Sequence, residues 1–297
     1  MSLRHAALAL PLLLNHSLWG AQAHSLTFFQ PQQLMEQGSN LGPDAAQAME
    51  AQIEKNPEDL AARTKLIGYY YYQWMQPGEE AAKAARRKHI LWLIEHHPDS
   101  PILNLAEVPI EETGNSLADP EGYKQARRLW VSQMEARKTD AAMLGNLAKF
   151  FQMTDKNLAE SALLQAKAVQ PHNTQWDWQL GYLYGMGILG VDAMGLNGQP
   201  TSVDPIAANG PFAAKSRKAL AESRSGTMLA VAAQLLWRYG TMLAPTGSGK
   251  LDWLDQSAKL VQQAKAAEPN NPSWPQLLLQ IEASRRQAVS PAPKLVK

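Results

Sequence analysis

Four times along this chain a proline breaks a helical pattern at the same kind of place. Asn56-Pro57-Glu58, His97-Pro98-Asp99, Gln170-Pro171-His172 and Glu268-Pro269-Asn270 each stand where one apolar helical period stops and the next begins. Proline lacks the backbone N–H and disfavours helical geometry in the residue before it, so each site must end a helix. Between the breaks, apolar residues recur three or four apart, as in Tyr123, Ala126, Trp130 and Met134, and in Leu251, Leu254, Ala258, Val261 and Ala264. That spacing lays one apolar stripe along one helix face. Pro120 suits a first helical turn with Asp119 as its cap. No long alternating run argues for strands. The apolar run from His89 to Ile94 continues a charged helical stretch from Glu79 and reads as a helix buried on nearly all sides. The expected fold class is all-α, built from antiparallel helix pairs.

The chain also echoes itself. Gln165-Ala166-Lys167-Ala168 with Pro171 and Asn173 returns as Gln263-Ala264-Lys265-Ala266 with Pro269 and Asn271. Leu180-Gly181 with Tyr184, and Ile67-Gly68 with Tyr71, fit a Leu-Gly-x2-Tyr pattern; Leu144-Gly145 fits with Ala148 in the aromatic's place. Ala159, Leu163, Ala166 and Pro171 fit the second half of such a unit, as do Val261, Ala264 and Pro269, and Ala126 with Trp130 fits in part. In these residues the chain resembles the tetratricopeptide repeat family. The resemblance implies a solenoid of stacked helix pairs over residues 43–287. It implies a non-catalytic scaffold that holds a protein or peptide on its concave face, where Asn146, Lys149 and Gln179 are the expected contacts. The chain departs from the family's pattern in two ways. Pro57 and Pro98 are 41 residues apart, where the repeat has about 34. Two long connections, 99–118 and 189–211, interrupt the series. An alternative reading is an α-helical enzyme or small-molecule binder with the 189–211 loop as a lid.

Residues 1–23 read as a signal peptide. Arg4 precedes an apolar run from Ala6 to Leu14, and Ala21-Gln22-Ala23 has the small-x-small form of a cleavage site. The expectation is export to a periplasmic or extracellular location. The run is too short to span a bilayer, so no transmembrane anchor is expected. Residues 24–42 carry Gln, Ser and Gly without clear periodicity and read as a leader; residues 288–297 read as a disordered tail.

Charge and chemistry narrow the function. Lys and Arg total 28 against 27 Asp and Glu, so the basic excess that nucleic acid attracts is missing. There is no Cys, which removes thiolate metal sites, disulfides and a thiol nucleophile. Ala244 to Lys250 (APTGSGK) looks like a phosphate loop, but Leu251 follows the lysine where a Mg²⁺-binding hydroxyl is required, and Gln234 to Leu243 reads as helix rather than strand. It is expected to be an inert, flexible turn with open backbone angles at Gly247 and Gly249. His89, His96 and His97 lack the spacing of a metal-binding helix, and Glu111-Glu112 reads as an exposed loop pair. The aromatic clusters Tyr69 to Tyr72 with Trp74, and Trp176 with Trp178, divide between core and surface. Tyr71 and Tyr184, at motif positions, are expected in the core. Neither a catalytic centre nor a cofactor is expected.

Overall fold

The computed structural model describes residues 25–74, 80–113, 118–194, 200–243 and 247–289. They are overwhelmingly helical. The helices are α1 (Ser25–Ser39), α2 (Pro43–Lys55), α3 (Leu60–Trp74), α4 (Glu80–His96), α5 (Pro120–Ala136), α6 (Ala141–Phe151) and α7 (Lys156–Val169). They continue with α8 (Thr174–Leu189), α9 (Pro205–Ala208), α10 (Pro211–Glu222), α11 (Gly226–Leu235), α12 (Thr241–Leu243), α13 (Gly247–Ala267) and α14 (Ser273–Val289). Neighbours in sequence are neighbours in space: α3 packs on α4, α6 on α7, α7 on α8, α8 on α10 and α11, α11 on α13, and α13 on α14. One apolar core runs through them from Met35 to Ile281.

The turns that join these helices share one geometry. Asn56 N–H donates to Gln52 O, and Asp59 N–H returns to Asn56 O. The same two bonds join His97 to Leu93 and Ser100 to His97, Gln170 to Ala166 and Asn173 to Gln170, and Glu268 to Ala264 and Asn271 to Glu268. Asp59, Ser100, Asn173 and Asn271 then accept a backbone N–H two or three residues on, capping the next helical turn. Proline stands second in each turn, where the N–H makes none of these bonds. Arg137 to Asp140 makes the same turn with Lys138 in that place; without its proline it carries no sequence signal. The echoed glutamines also share a job. Gln165 Nε2 donates to Lys138 O at 2.7 Å, and Gln263 Nε2 to Leu220 O and Ser223 O at 2.9 Å. Each ties its helix to carbonyls at an earlier turn or helix end.

Several expectations need correction. Residues 24–42 are not merely a leader, because most of them form α1, which packs on α3. A Cβ on Gly38 would lie 2.0 Å from Lys65 O, and one on Gly68 2.3 Å from Met35 O. This helix docks by close backbone approach, with Met35 wholly buried, so it needs no wide apolar stripe to betray it. The all-α expectation holds apart from one short antiparallel pair inside the second long connection, β1 (Val191–Met194) and β2 (Pro200–Val203), with Val191 opposite Val203. Gly190, with φ of 70°, ends α8 in the left-handed conformation just before them. Ala288 and Val289 still belong to α14; the remainder of the expected tail, and residues 1–23, lie outside the described residues.

One step of the series breaks the pattern. After the capped turn at Ser100 the chain makes a single 3₁₀ turn, Pro101–Asn104, and no α-helix. It runs on without regular structure to Glu111, which bridges to Ala118 before α5. This segment touches α1, α4 and α6. A narrow strand of chain stands where each comparable turn is followed by a helix.

Candidate functional site: a groove and a cavity that share Lys149

Two concavities adjoin Lys149. The first is a groove of about 350 Å³ between α6, α7 and α8. Its apolar bed includes Ala148, Leu163 and Leu183, and Lys149, Gln152 and Gln179 add polar groups. Trp178 is 47% exposed and stacks on Tyr182 with ring centroids 5.6 Å apart. Helical spacing explains the platform, because residues four apart share a face. Burial pushes the Tyr182 hydroxyl up to about 12, with Tyr239 adding to the effect, so the ring stays neutral.

The second is a cavity of about 210 Å³ beneath the segment that follows the 3₁₀ turn. Ile90 and Ile94 of α4, Val108 of the segment, Trp130 of α5 and Phe150 of α6 supply apolar walls. The missing helix explains the space, since an extended strand of chain fills less volume than a helix does. Arg86 holds that chain in place. Its guanidinium is buried and donates to Glu107 O at 2.9 and 2.6 Å and to Pro109 O at 2.8 Å. It also lies over the rings of Trp74 and Tyr71, 5.1 and 5.5 Å from their centroids. Burial pulls its pKa down to about 10, still far above neutrality, so it remains a cation.

Lys149 lines both spaces. Its ammonium donates to Asn104 O at 2.6 Å. Burial lowers its pKa. The acidic groups Glu111, Glu112 and Asp192 also line the cavity, and of these Glu112 and Asp192 are exposed.

The three expected contact residues therefore part company. Lys149 and Gln179 face the groove. Asn146 does not, and its expected role is corrected. It is buried, its amide N–H₂ donates to Pro98 O at 2.8 Å and Ser100 O at 3.0 Å, and its oxygen accepts from Asn104 at 2.6 Å. Those bonds hold the turn after α4 in place, so its donors are already committed. Tyr184 is buried and donates to Glu160 at 2.8 Å, as expected of a core position. Tyr71 is only half-buried, against Arg86. The cluster of Trp176 and Trp178 divides as expected, Trp176 buried and Trp178 exposed, but the pairing of Trp178 with Tyr182 and the cavity escaped notice in the sequence. An exposed aromatic pair leaves only a four-residue spacing, and a cavity leaves none.

The other motifs resolve into structure. Gly247 to Lys250 form the first turn of α13, so Gly247 and Gly249 do not supply the open angles of a turn. A helical run, Gly226–Leu243, precedes them, and residues 244–246 lie outside the described residues. The histidines go to three places. His89 is buried with Nε2 2.8 Å from Glu50 and Nδ1 3.2 Å from Arg63 Nη1. Arg63 can only donate, so Nδ1 accepts and Nε2 carries the proton that faces Glu50. The hydrogen bond from His89 is the main cause that brings Glu50 down to about 2. His96 stacks on Trp92, and His97 pairs with Glu58 at 2.7 Å. Among the described residues no group of three His, Asp or Glu side chains is placed to hold a metal, and no helix is long and apolar enough to cross a membrane. Compared with family models, curated proteins and solved structures, the chain matches none.

Proposed function

We propose that this protein is an exported, non-catalytic scaffold of tetratricopeptide-like helix pairs that holds a peptide segment of a partner protein in the groove along α6 and α8. The observation that carries this reading is the half-exposed Trp178, stacked flat on Tyr182 above an apolar bed and flanked by Lys149 and Gln179. A large, stiff aromatic of this kind gives much contact area for little lost side-chain freedom, which is how tryptophan anchors interfaces. The repeated turn geometry supports the repeat reading, as do the shared tasks of Gln165 and Gln263.

The test is selection of a displayed random peptide library on the intact protein. Enriched peptides are expected to lose at least about tenfold in affinity on Trp178→Ala, the size of an interface anchor, and to bind Lys250→Ala like the parent. Peptides indifferent to Trp178 place the binding surface elsewhere and sink the groove reading. Export is tested separately: N-terminal sequencing of protein from the native cell is expected to start at His24, and an intact cytoplasmic chain overturns it.

A further inference from the structure

The cavity under the 101–113 segment has the size and polarity of a ligand site in its own right. At about 210 Å³ it exceeds the ~150 Å³ of an engineered apolar cavity that holds benzene. It falls below the ~300 Å³ at which pockets for drug-sized ligands begin. A benzene ring with one small substituent fits that interval; a nucleotide or flavin does not. The walls from Ile94, Val108, Trp130 and Phe150 suit an apolar body. Among the described residues the one cation in the lining is Lys149. An ammonium has three hydrogens to donate, and among the described residues one goes to Asn104 O. The neighbouring amide of Asn146 is spent on backbone carbonyls, so Lys149 is the charged donor that meets a ligand, with neutral Gln152 also in the lining. A desolvated ammonium gains most from a partner that brings its own negative charge. Glu111, Glu112 and Asp192 in the same lining disfavour a second one.

We propose that this cavity binds a small apolar monocarboxylate, with its ring or short chain between α4, α5 and α6 and its carboxylate on the Lys149 ammonium. The site shares Lys149 and Gln152 with the peptide groove, but the proposal does not depend on the groove's being a peptide site.

The probe is phenylacetate, titrated calorimetrically into the intact protein at pH 7 beside its neutral isostere phenylacetamide. One phenylacetate is expected to bind with a Kd of about 1 mM or tighter. Phenylacetamide is expected to be weaker by about tenfold or more, the size of one hydrogen bond to a charged group. Lys149→Met should remove that preference, whereas Trp178→Ala should leave phenylacetate binding unchanged and so separate this site from the groove. If Lys149→Met loses the parent's helical circular dichroism, Val108→Phe serves instead: it fills the cavity and should abolish phenylacetate binding. Equal affinity for acid and amide, phenylacetate binding that survives both Lys149→Met and Val108→Phe, or no saturable binding to the parent each overturns the proposal.

Discussion

The α8–α11 crossing and the 99–118 connection solve the same problem in opposite ways. At the crossing, two helices meet backbone to backbone: a Cβ on Gly181 would sit 2.4 Å from Met228 O. Leu229 and Ala232 on α11 are wholly buried. At the connection, one turn of 3₁₀ and an irregular segment occupy the corresponding step. The apolar faces of α4, α5 and α6 are left with a cavity between them and a buried arginine to hold the cover down. Where a helix is present, packing closes the interior and small residues set the distance. Where it is absent, polar ties carry the segment and the interior stays partly open.

The largest expected effect comes from forcing the closed crossing apart. Gly181→Leu meets a backbone carbonyl, which cannot swing aside as a side chain can, and should cost about 3 kcal/mol. Urea unfolding measures it, and hydrogen exchange should show protection lost first in α8 and α11. Parental stability would mean that the crossing is looser than its geometry. Next comes the tie that covers the cavity. Arg86→Met keeps an apolar stem over Trp74 but leaves the Glu107 and Pro109 carbonyls without their donor. It should cost about 2 kcal/mol, with exchange speeding up at residues 102–111 while α8 stays protected. Uniform loss of protection would remove the distinction between the two regions.

The smallest effects sharpen the comparison by their opposite signs. Val108→Ile adds one methylene beside the cavity and should stabilise by about 0.5 kcal/mol, within the ~0.8 kcal/mol of a buried methylene. Val261→Ile adds the same group at a wholly buried position on α13 and should destabilise by about 1 kcal/mol through overpacking. The two urea midpoints, compared at equal m-value, decide the matter. Two destabilised variants would show that the cavity does not accept added volume.

Most of the helices after α1, and the four turns that a proline marks, were legible in the chain because they rest on local physics. Proline marks four turns by what it cannot do, and Asp59, Asn173 and Asn271 cap the next helix within three residues. Buried Tyr123, Ala126 and Trp130 lie on one stripe by spacing alone, and the glycines of Ile67-Gly68 and Leu180-Gly181 both became close helix contacts. What those glycines touch was settled only by the fold. Gly68 meets Met35 of α1, on the far side of α2 in the chain, and Gly181 meets α11 beyond a strand pair and two further helices. Asn146 shows the same limit. On a helical wheel it resembles Lys149 three residues away, yet the turn after α4 takes up its amide and leaves the lysine beside open space. Local propensity and capping act over a few residues and can be read along the chain. Cavities, buried arginine ties and exposed aromatic platforms depend on which distant segments arrive beside one another, and that is decided by tertiary packing.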